Sequence, residues 1–237
     1  MLSLRYNNTA EDFKMTATDH IRIDGVIFDL DGVILSTDNY HYLAWKALAE
    51  REGIYFDRTI NERLRGVSRM ESLAIILEKA NKNYSDSEKI QMAEYKNEIY
   101  KSSLSSLTPK DIFPGVRDLL GYLLRQNIKI AIGSSSKNTK TILEKINLSD
   151  LFTGAVSDGT NITRSKPDPE VFVKAAEMIE ISCRDCLVVE DADAGIEAAK
   201  AAGMYALGVG FAKSHPRADF QAESLKDIKP EFFRKKS

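Results

Sequence analysis

Two carboxylates and a glycine follow three apolar residues in the stretch Val26-Ile27-Phe28-Asp29-Leu30-Asp31-Gly32-Val33. The apolar residues read as a buried strand and Gly32 as its turn. Side chains two residues apart on a strand point the same way, so Asp29 and Asp31 are expected to project together from its carboxyl end. Two acids held close repel, and a strand interior has no structural use for either one unpaired. They imply a neighbouring cation, for which Mg2+ held through oxygens is the natural choice. On this stretch alone a strand ending in an ordinary polar turn reads equally well, since Asp and Gly are common turn residues.

The rest of the chain must position these groups. The first strand is expected over 21–30. From Thr37 or Asp38, both good N-caps, a helix runs to about Glu52 with Gly53 as its stop. Further helices are expected over 57–64, 69–80 and 86–104, and no convincing strand falls between 37 and 107. After Thr108-Pro109 the pattern alternates. Helices over 115–126, 138–146, 169–179 and 194–202 are interleaved with strands over 128–133, 152–156, 187–189 and 205–209. Such alternation means a parallel sheet covered on both faces. The expected fold is therefore α/β, with a Rossmann-like core over 21–36 and 108–237. An all-helical block over 37–107 is inserted after its first strand. Residues 1–20 are polar and unpatterned, an N-terminal extension that reads as a loose arm or an added strand.

Ligands of open parallel sheets bind at the carboxyl ends of the strands. Besides Asp29 and Asp31, those positions hold Ser134-Ser135-Ser136-Lys137-Asn138, a helix entry whose hydroxyls and amides suit a phosphate. They also hold Lys166, just before a proline-started helix, and Glu190-Asp191. Singly these are weak: serines cap helices, and a lysine is usually a solvated charge. Together, in this order, they suit phosphoryl transfer. That chemistry needs cations and N–H donors for the phosphate oxygens, an in-line nucleophile and a proton donor for the leaving oxygen. A carboxylate can be the nucleophile by becoming an aspartyl phosphate.

Composition bounds the alternatives. The 237 residues carry 33 basic and 35 acidic side chains, a net charge of −2, so no global basic field argues for nucleic acid. The apolar runs fall short of a membrane span, and 1–20 lacks the apolar stretch of a signal peptide. The expectation is a cytoplasmic protein with neither nucleic acid nor membrane as partner. Cys183 and Cys186, spaced C-x-x-C, read either as a redox or zinc pair or as two free thiols. Zinc would need further ligands, and His20, His41 and His215 show no metal spacing.

The four pieces resemble the haloacid dehalogenase superfamily: D-x-D-G, a serine after the second strand, the lysine of K-P-x-P, and E-D after a later strand. That resemblance implies Asp29 as the phosphorylated nucleophile and Asp31 as general acid/base. Ser134 and Lys166 would hold the phosphoryl group. Mg2+ would be bound by Asp29, the backbone carbonyl of Asp31, and Asp191, with Glu190 as a ligand or a supporting partner. The segments Tyr40–Leu48 and Arg65–Arg69, with Ser134–Asn138, are similar to the beta-phosphoglucomutase family, whose four-helix cap closes over the site. The similarity runs from about residue 23 to at least 210. It implies that His41 lies near Asp31 and the reacting hydroxyl, and that Arg69 binds the distal phosphate with Ser136, Lys137 and Asn138 assisting. Gly66, Val67 and Ser68 would contact the sugar, and Trp45 and Lys46 would line the inner surface of the cap. Trp45 reads equally as core of the helical bundle, and Lys46 and Arg65 as solvated charges. The implied activity is isomerisation of beta-D-glucose 1-phosphate to glucose 6-phosphate through the 1,6-bisphosphate, by a monomer acting on sugar phosphates. A sugar-phosphate phosphatase shares the same core, and a non-catalytic sensor would have no need of Asp29 aligned with Asp31. Ser36, where many relatives carry Asp, is a departure outside the catalytic set.

Overall fold

The computed structural model describes residues 21–236. The extension over 1–20, with His20, lies outside them. In chain order the elements are β1 (Ile21–Ile23), β2 (Gly25–Phe28), α1 (Asp38–Glu52), α2 (Arg58–Glu62), α3 (Arg69–Leu77), α4 (Asp86–Leu104), α5 (Val116–Arg125), β3 (Lys129–Gly133), α6 (Thr139–Lys145), β4 (Val156–Ser157), α7 (Glu170–Met178), β5 (Cys186–Glu190), α8 (Asp193–Ala201), β6 (Tyr205–Gly208), β7 (Phe220–Gln221) and β8 (Phe233–Lys235).

Six strands form one parallel sheet in the order β4-β3-β2-β5-β6-β7. β2 lies inside it, fully buried, between β3 and β5. The period-2 alternation of β2 assigns its two faces. Val26 and Phe28 join Ile130, Ile132 and Val189 under α5 and α6, while Ile27 joins Ala131, Val188 and the residues of α7 and α8. Both faces are covered, as the helix–strand alternation requires.

The strand expected over 21–30 is two strands. β1 pairs in parallel with β8 in a separate two-stranded sheet, and the main-sheet strand is β2. The chain changes partner at Asp24, whose amide bonds the carbonyl of Asp185. Gly25 then lets Ile179 approach to 2.9 Å of where a Cβ would stand. β4 begins later than expected because 149–152 form a 3-10 turn that anchors the buried Phe152. β7 and β8 are too short to show a periodic pattern.

The four helices α1–α4 lie between β2 and α5, as the sequence reading has it. Gly53, at φ 67°, stops α1, and Ser68–Glu71 and Ser85–Glu88 form capping boxes at the starts of α3 and α4. α3 ends at Leu77, short of the expected Ala80. The block has its own apolar cluster of Trp45, Leu48, Ile54, Phe56, Leu73, Ile76 and Met92. Ala44, Tyr100 and Leu104 instead join the cluster of the sheet and seam the block to it. None of the helices among the described residues is long and apolar enough to cross a membrane.

Candidate active site

The carboxyl ends of β2, β3 and β5 open into one cavity of about 910 Å3, whose other wall is α1, the α2–α3 connection and α4. Asp29 follows β2, and its amide still bonds the carbonyl of Val189 on β5. Opposite it lies Lys166, whose side chain is 1% exposed. The ammonium donates to Oδ1 of Asp29 at 2.5 Å and to Oε1 of Glu190 at 2.6 Å. Oε2 of Glu190 takes the amide of Ala192 at 2.8 Å. Both oxygens of Glu190 are therefore engaged, which favours its supporting role over direct metal ligation.

The charges do not balance. Burial opposes the charge on Lys166, but Asp29 and Glu190 outweigh it and hold the ammonium above its ordinary range. Burial pushes Asp29 up to about 7; Lys166 works against the shift and Glu190 adds to it. Burial also pushes Asp191 up to about 9, with Glu190, Asp29 and Asp31 adding repulsion. Three acids thus share one lysine. A Cβ on Gly32, at φ +86°, would lie 2.0 Å from Oδ2 of Asp191, so only glycine lets that carboxylate in. No group of three His, Cys, Asp or Glu side chains forms a ready-made metal cage among the described residues. Asp29 and Asp191, with a backbone carbonyl, phosphate oxygens and water to complete the shell, are the sparse oxygen set that Mg2+ uses. The donor chemistry and the excess negative charge fit that ion.

Asp31 lines the same cavity but turns to the crossing into the helical block. Its Oδ1 accepts the Thr37 amide at 2.5 Å and its Oδ2 accepts the Thr37 hydroxyl at 2.7 Å, which in turn accepts from Tyr100 at 2.9 Å. Burial raises the pKa of Asp31, and the Thr37 bonds oppose the shift. A carboxyl so placed both gives and takes a proton nearer neutrality than a free one does.

On the block side, His41 stacks on Tyr100 with ring centroids 4.0 Å apart, and its Nδ1 is 2.7 Å from Nζ of Lys96. Lys96 is 2% exposed. Burial, then the neighbouring Lys96 and Arg69, lower His41 well below its usual value, and burial, then Arg69, does the same to Lys96. Arg69, at the first position of α3, is half-buried on the cavity wall, and burial lowers its pKa too. Gly66, Val67 and Ser68 also line the cavity. The Gly66 carbonyl accepts from the hydroxyl of Ser135 at 3.2 Å, and the Ser68 hydroxyl is the cap of α3. Ser134 and Ser136 each accept an amide two residues on, which leaves their O–H groups free to donate to an anion. Lys137 is exposed at the wall, and Asn138 donates to Asn97 of α4 at 3.1 Å.

One candidate is not brought in. Lys46 does not line the cavity, and its ammonium lies on the outside of α1, 3.8 Å from Glu50. At 100° per residue, Trp45 falls 40° from His41 around the helix but Lys46 falls 140° away. Trp45 serves as both core and wall: it is 2% exposed within the block's apolar cluster and lies on the cavity. Residues absent from the sequence-derived set are Thr37, Lys96, Tyr100 and Phe211. Lys96 had a signal, for it stands four residues from both Met92 and Tyr100 in the apolar stripe of α4. Cys183 and Cys186 are free thiols and are not on the cavity wall; burial pushes the Cys186 thiol up to about 12, the inert condition of a buried cysteine.

The family model for haloacid dehalogenase-like hydrolases matches residues 23–203. The chain is 46% identical over 205 residues to a Bacillus subtilis beta-phosphoglucomutase, covering 86% of this chain and 90% of that one. It is 29% identical over 213 residues to a phosphorylated carbohydrates phosphatase of Thermotoga maritima, covering 88% and 95%. Among solved structures, a beta-phosphoglucomutase from Clostridium difficile superposes with a TM-score of 0.83 at 42% identity, covering 87% of this chain and 93% of that one.

Proposed function

We infer that this chain, which belongs to the haloacid dehalogenase-like hydrolase family, is an isomerase that interconverts beta-D-glucose 1-phosphate and glucose 6-phosphate. The observation that carries the reading is a single cavity with Asp29, Asp31 and Lys166 on one wall and a half-buried arginine, Arg69, on the other. A sugar with a phosphate at each end needs a cation at each end, and a guanidinium matches a phosphate dianion in bidentate fashion.

In the proposed sequence Asp29 carries a phosphoryl group as an acyl phosphate. A sugar hydroxyl attacks the phosphorus, its proton passes to Asp31, and the acyl P–O bond breaks to free the Asp29 carboxylate. The bisphosphate reorients. Asp29 then attacks the other phosphorus while Asp31 returns a proton to the leaving sugar oxygen. Lys166, Ser134 and the Ser134–Asn138 turn hold the phosphoryl oxygens. The carboxylates of Asp29 and Asp191 and the Asp31 carbonyl would hold Mg2+, which when bound supplies charge neutralisation at the phosphoryl group. His41, paired with Lys96, faces the hydroxyl being phosphorylated. The Asp31–Thr37–Tyr100 bonds tie the orientation of the acid/base to the crossing between block and sheet, so that closing the block as a cap and aiming Asp31 are one motion. We place the enzyme in the cytoplasm, acting as a monomer.

Trapping tests the reading. Enzyme with Mg2+ quenched in acid after mixing with phosphorus-labelled glucose 1,6-bisphosphate should carry the label on the peptide containing Asp29. Label elsewhere, or none, would remove the acyl phosphate. Arg69→Ala should lower kcat/KM for isomerisation about ten- to a hundredfold, the size of a lost hydrogen bond to a charged group. It should spare phosphorylation of Asp29 by a small donor such as acetyl phosphate, which has no second phosphate. An equal loss with both would place Arg69 in the folding rather than in the distal site.

Metal binding should be linked to protons. Asp29 and Asp191, with pKa values of about 7 and about 9, must be ionised to bind Mg2+. Affinity should therefore rise with pH over that range, with protons released, measured by titration calorimetry in buffers of differing ionisation enthalpy. The sign for stability is the reverse. Both folded-state values lie above the unfolded ones, so the metal-free fold binds extra protons and loses stability as pH rises through about 7 to about 9. Mg2+ should restore most at the alkaline end. A metal-free melting temperature that climbs across this window would contradict the assignment.

A further inference from the structure

Arg65 and Phe211 meet across the mouth of the cavity, one from the α2–α3 connection and the other from the turn after β6. The guanidinium carbon lies 3.7 Å from the centroid of the Phe211 ring. Core packing does not place that ring: Phe211 is 67% exposed, although Val209 and Ala212 on either side of it are buried. A phenylalanine left in water at a strand end, with a cation over its face, has the geometry of a cation–π contact. The guanidinium is oriented from its own side by Asp38, whose Oδ1 lies 3.6 Å from Nε and also accepts from Asn61. The next residue, Gly66, brings its backbone against the sheet, with its carbonyl bonded to Ser135 and its would-be Cβ 3.1 Å from Ala192. The turn that carries Phe211 abuts the site from the other side, as a Cβ on Gly210 would stand 3.7 Å from the Cβ of Asp191.

We propose that Phe211 is a positioning residue, whose ring seats Arg65 and so fastens the α2–α3 connection to the sheet over the reacting carboxylates. The inference rests on the phosphoryl-transfer reading above and adds to it a named clasp. An acyl phosphate on Asp29 has two acceptors, the sugar hydroxyl and water. Water attacks at phosphorus, breaks the acyl P–O bond and yields inorganic phosphate and free Asp29. A clasp that keeps the block down lowers the share of events taken by water.

The test uses full-length, Mg2+-bound enzyme primed with glucose 1,6-bisphosphate. It reads phosphate released per isomer formed and, separately, amide hydrogen exchange in peptides spanning 60–68. Phe211→Ala should raise the phosphate-to-isomer ratio about two- to fivefold, the size of an exposed cation–π contact, and speed exchange in 60–68. Phe211→Tyr, which keeps the ring, should stay at the wild-type values. Arg65→Gln should shift both readouts as Phe211→Ala does, and the double variant should go no further than either. The clasp is overturned if Phe211→Ala leaves both readouts unchanged, or if Phe211→Tyr is as impaired as Phe211→Ala. Should the wild-type enzyme release only phosphate, the isomerase reading falls, and exchange in 60–68 alone then decides for or against the clasp.

Discussion

Asp29→Asn should abolish isomerisation, with turnover reduced by roughly 10^4-fold or more, the scale at which removal of a nucleophile acts. An amide oxygen cannot open the acyl phosphate route, so the residual rate should show neither label on the protein nor dependence on the bisphosphate. The fold should survive. Asn fills nearly the same volume, and with one fewer carboxylate around Lys166 the repulsion that raises Asp191 is reduced. Mg2+-free melting should therefore be no lower than in the parent at alkaline pH. Burst kinetics and thermal unfolding on the same preparation separate the two effects. Appreciable turnover in a well-folded variant would remove Asp29 as nucleophile.

Lys166→Met acts on stability and chemistry together. The ammonium, 1% exposed, is the shared partner of Asp29 and Glu190. Removing one member of such a buried group leaves uncompensated charge and costs about 3–5 kcal/mol. The cost should depend on pH in a diagnostic way. Lys166 holds the Asp29 carboxyl down against burial, so without it Asp29 keeps its proton beyond about 7. The uncompensated charge is largest in alkaline solution, and much of the lost stability should return in mildly acidic solution, where Asp29 is protonated. Chemical denaturation at two pH values measures this, and a deficit equal at both would mean that packing rather than charge is responsible. Turnover should fall further than stability explains, by about 10^2–10^3-fold, since the transferring phosphoryl group loses a fixed positive charge.

Much of this site was legible because its residues sit at the ends of strands that the sequence marks clearly. Asp29, Ser134 and Glu190 each follow an apolar run, and parallel topology then brings those ends to one edge. The helical block was legible as an interruption of the alternation, with its caps at Ser68 and Ser85. What escaped notice depends on three-dimensional partners. Lys96 looks solvated in a charged helix until Met92 and Tyr100 show that it faces inward. The division of 21–30 into two strands depends on β8, more than two hundred residues away. Lys46 lies off the cavity wall because the helix turns it 140° from His41, a rotation that a resemblance in sequence does not register. Phe211 carries no motif, and only its meeting with Arg65 gives it meaning.

The most direct measurement follows glucose 6-phosphate and inorganic phosphate together, with beta-glucose 1-phosphate, Mg2+ and a trace of glucose 1,6-bisphosphate as primer. Glucose 6-phosphate far in excess of free phosphate, and dependent on the primer, is the predicted result. Phosphate released with little isomer would contradict the account, leaving the Asp29–Lys166 chemistry in place but with water as the acceptor.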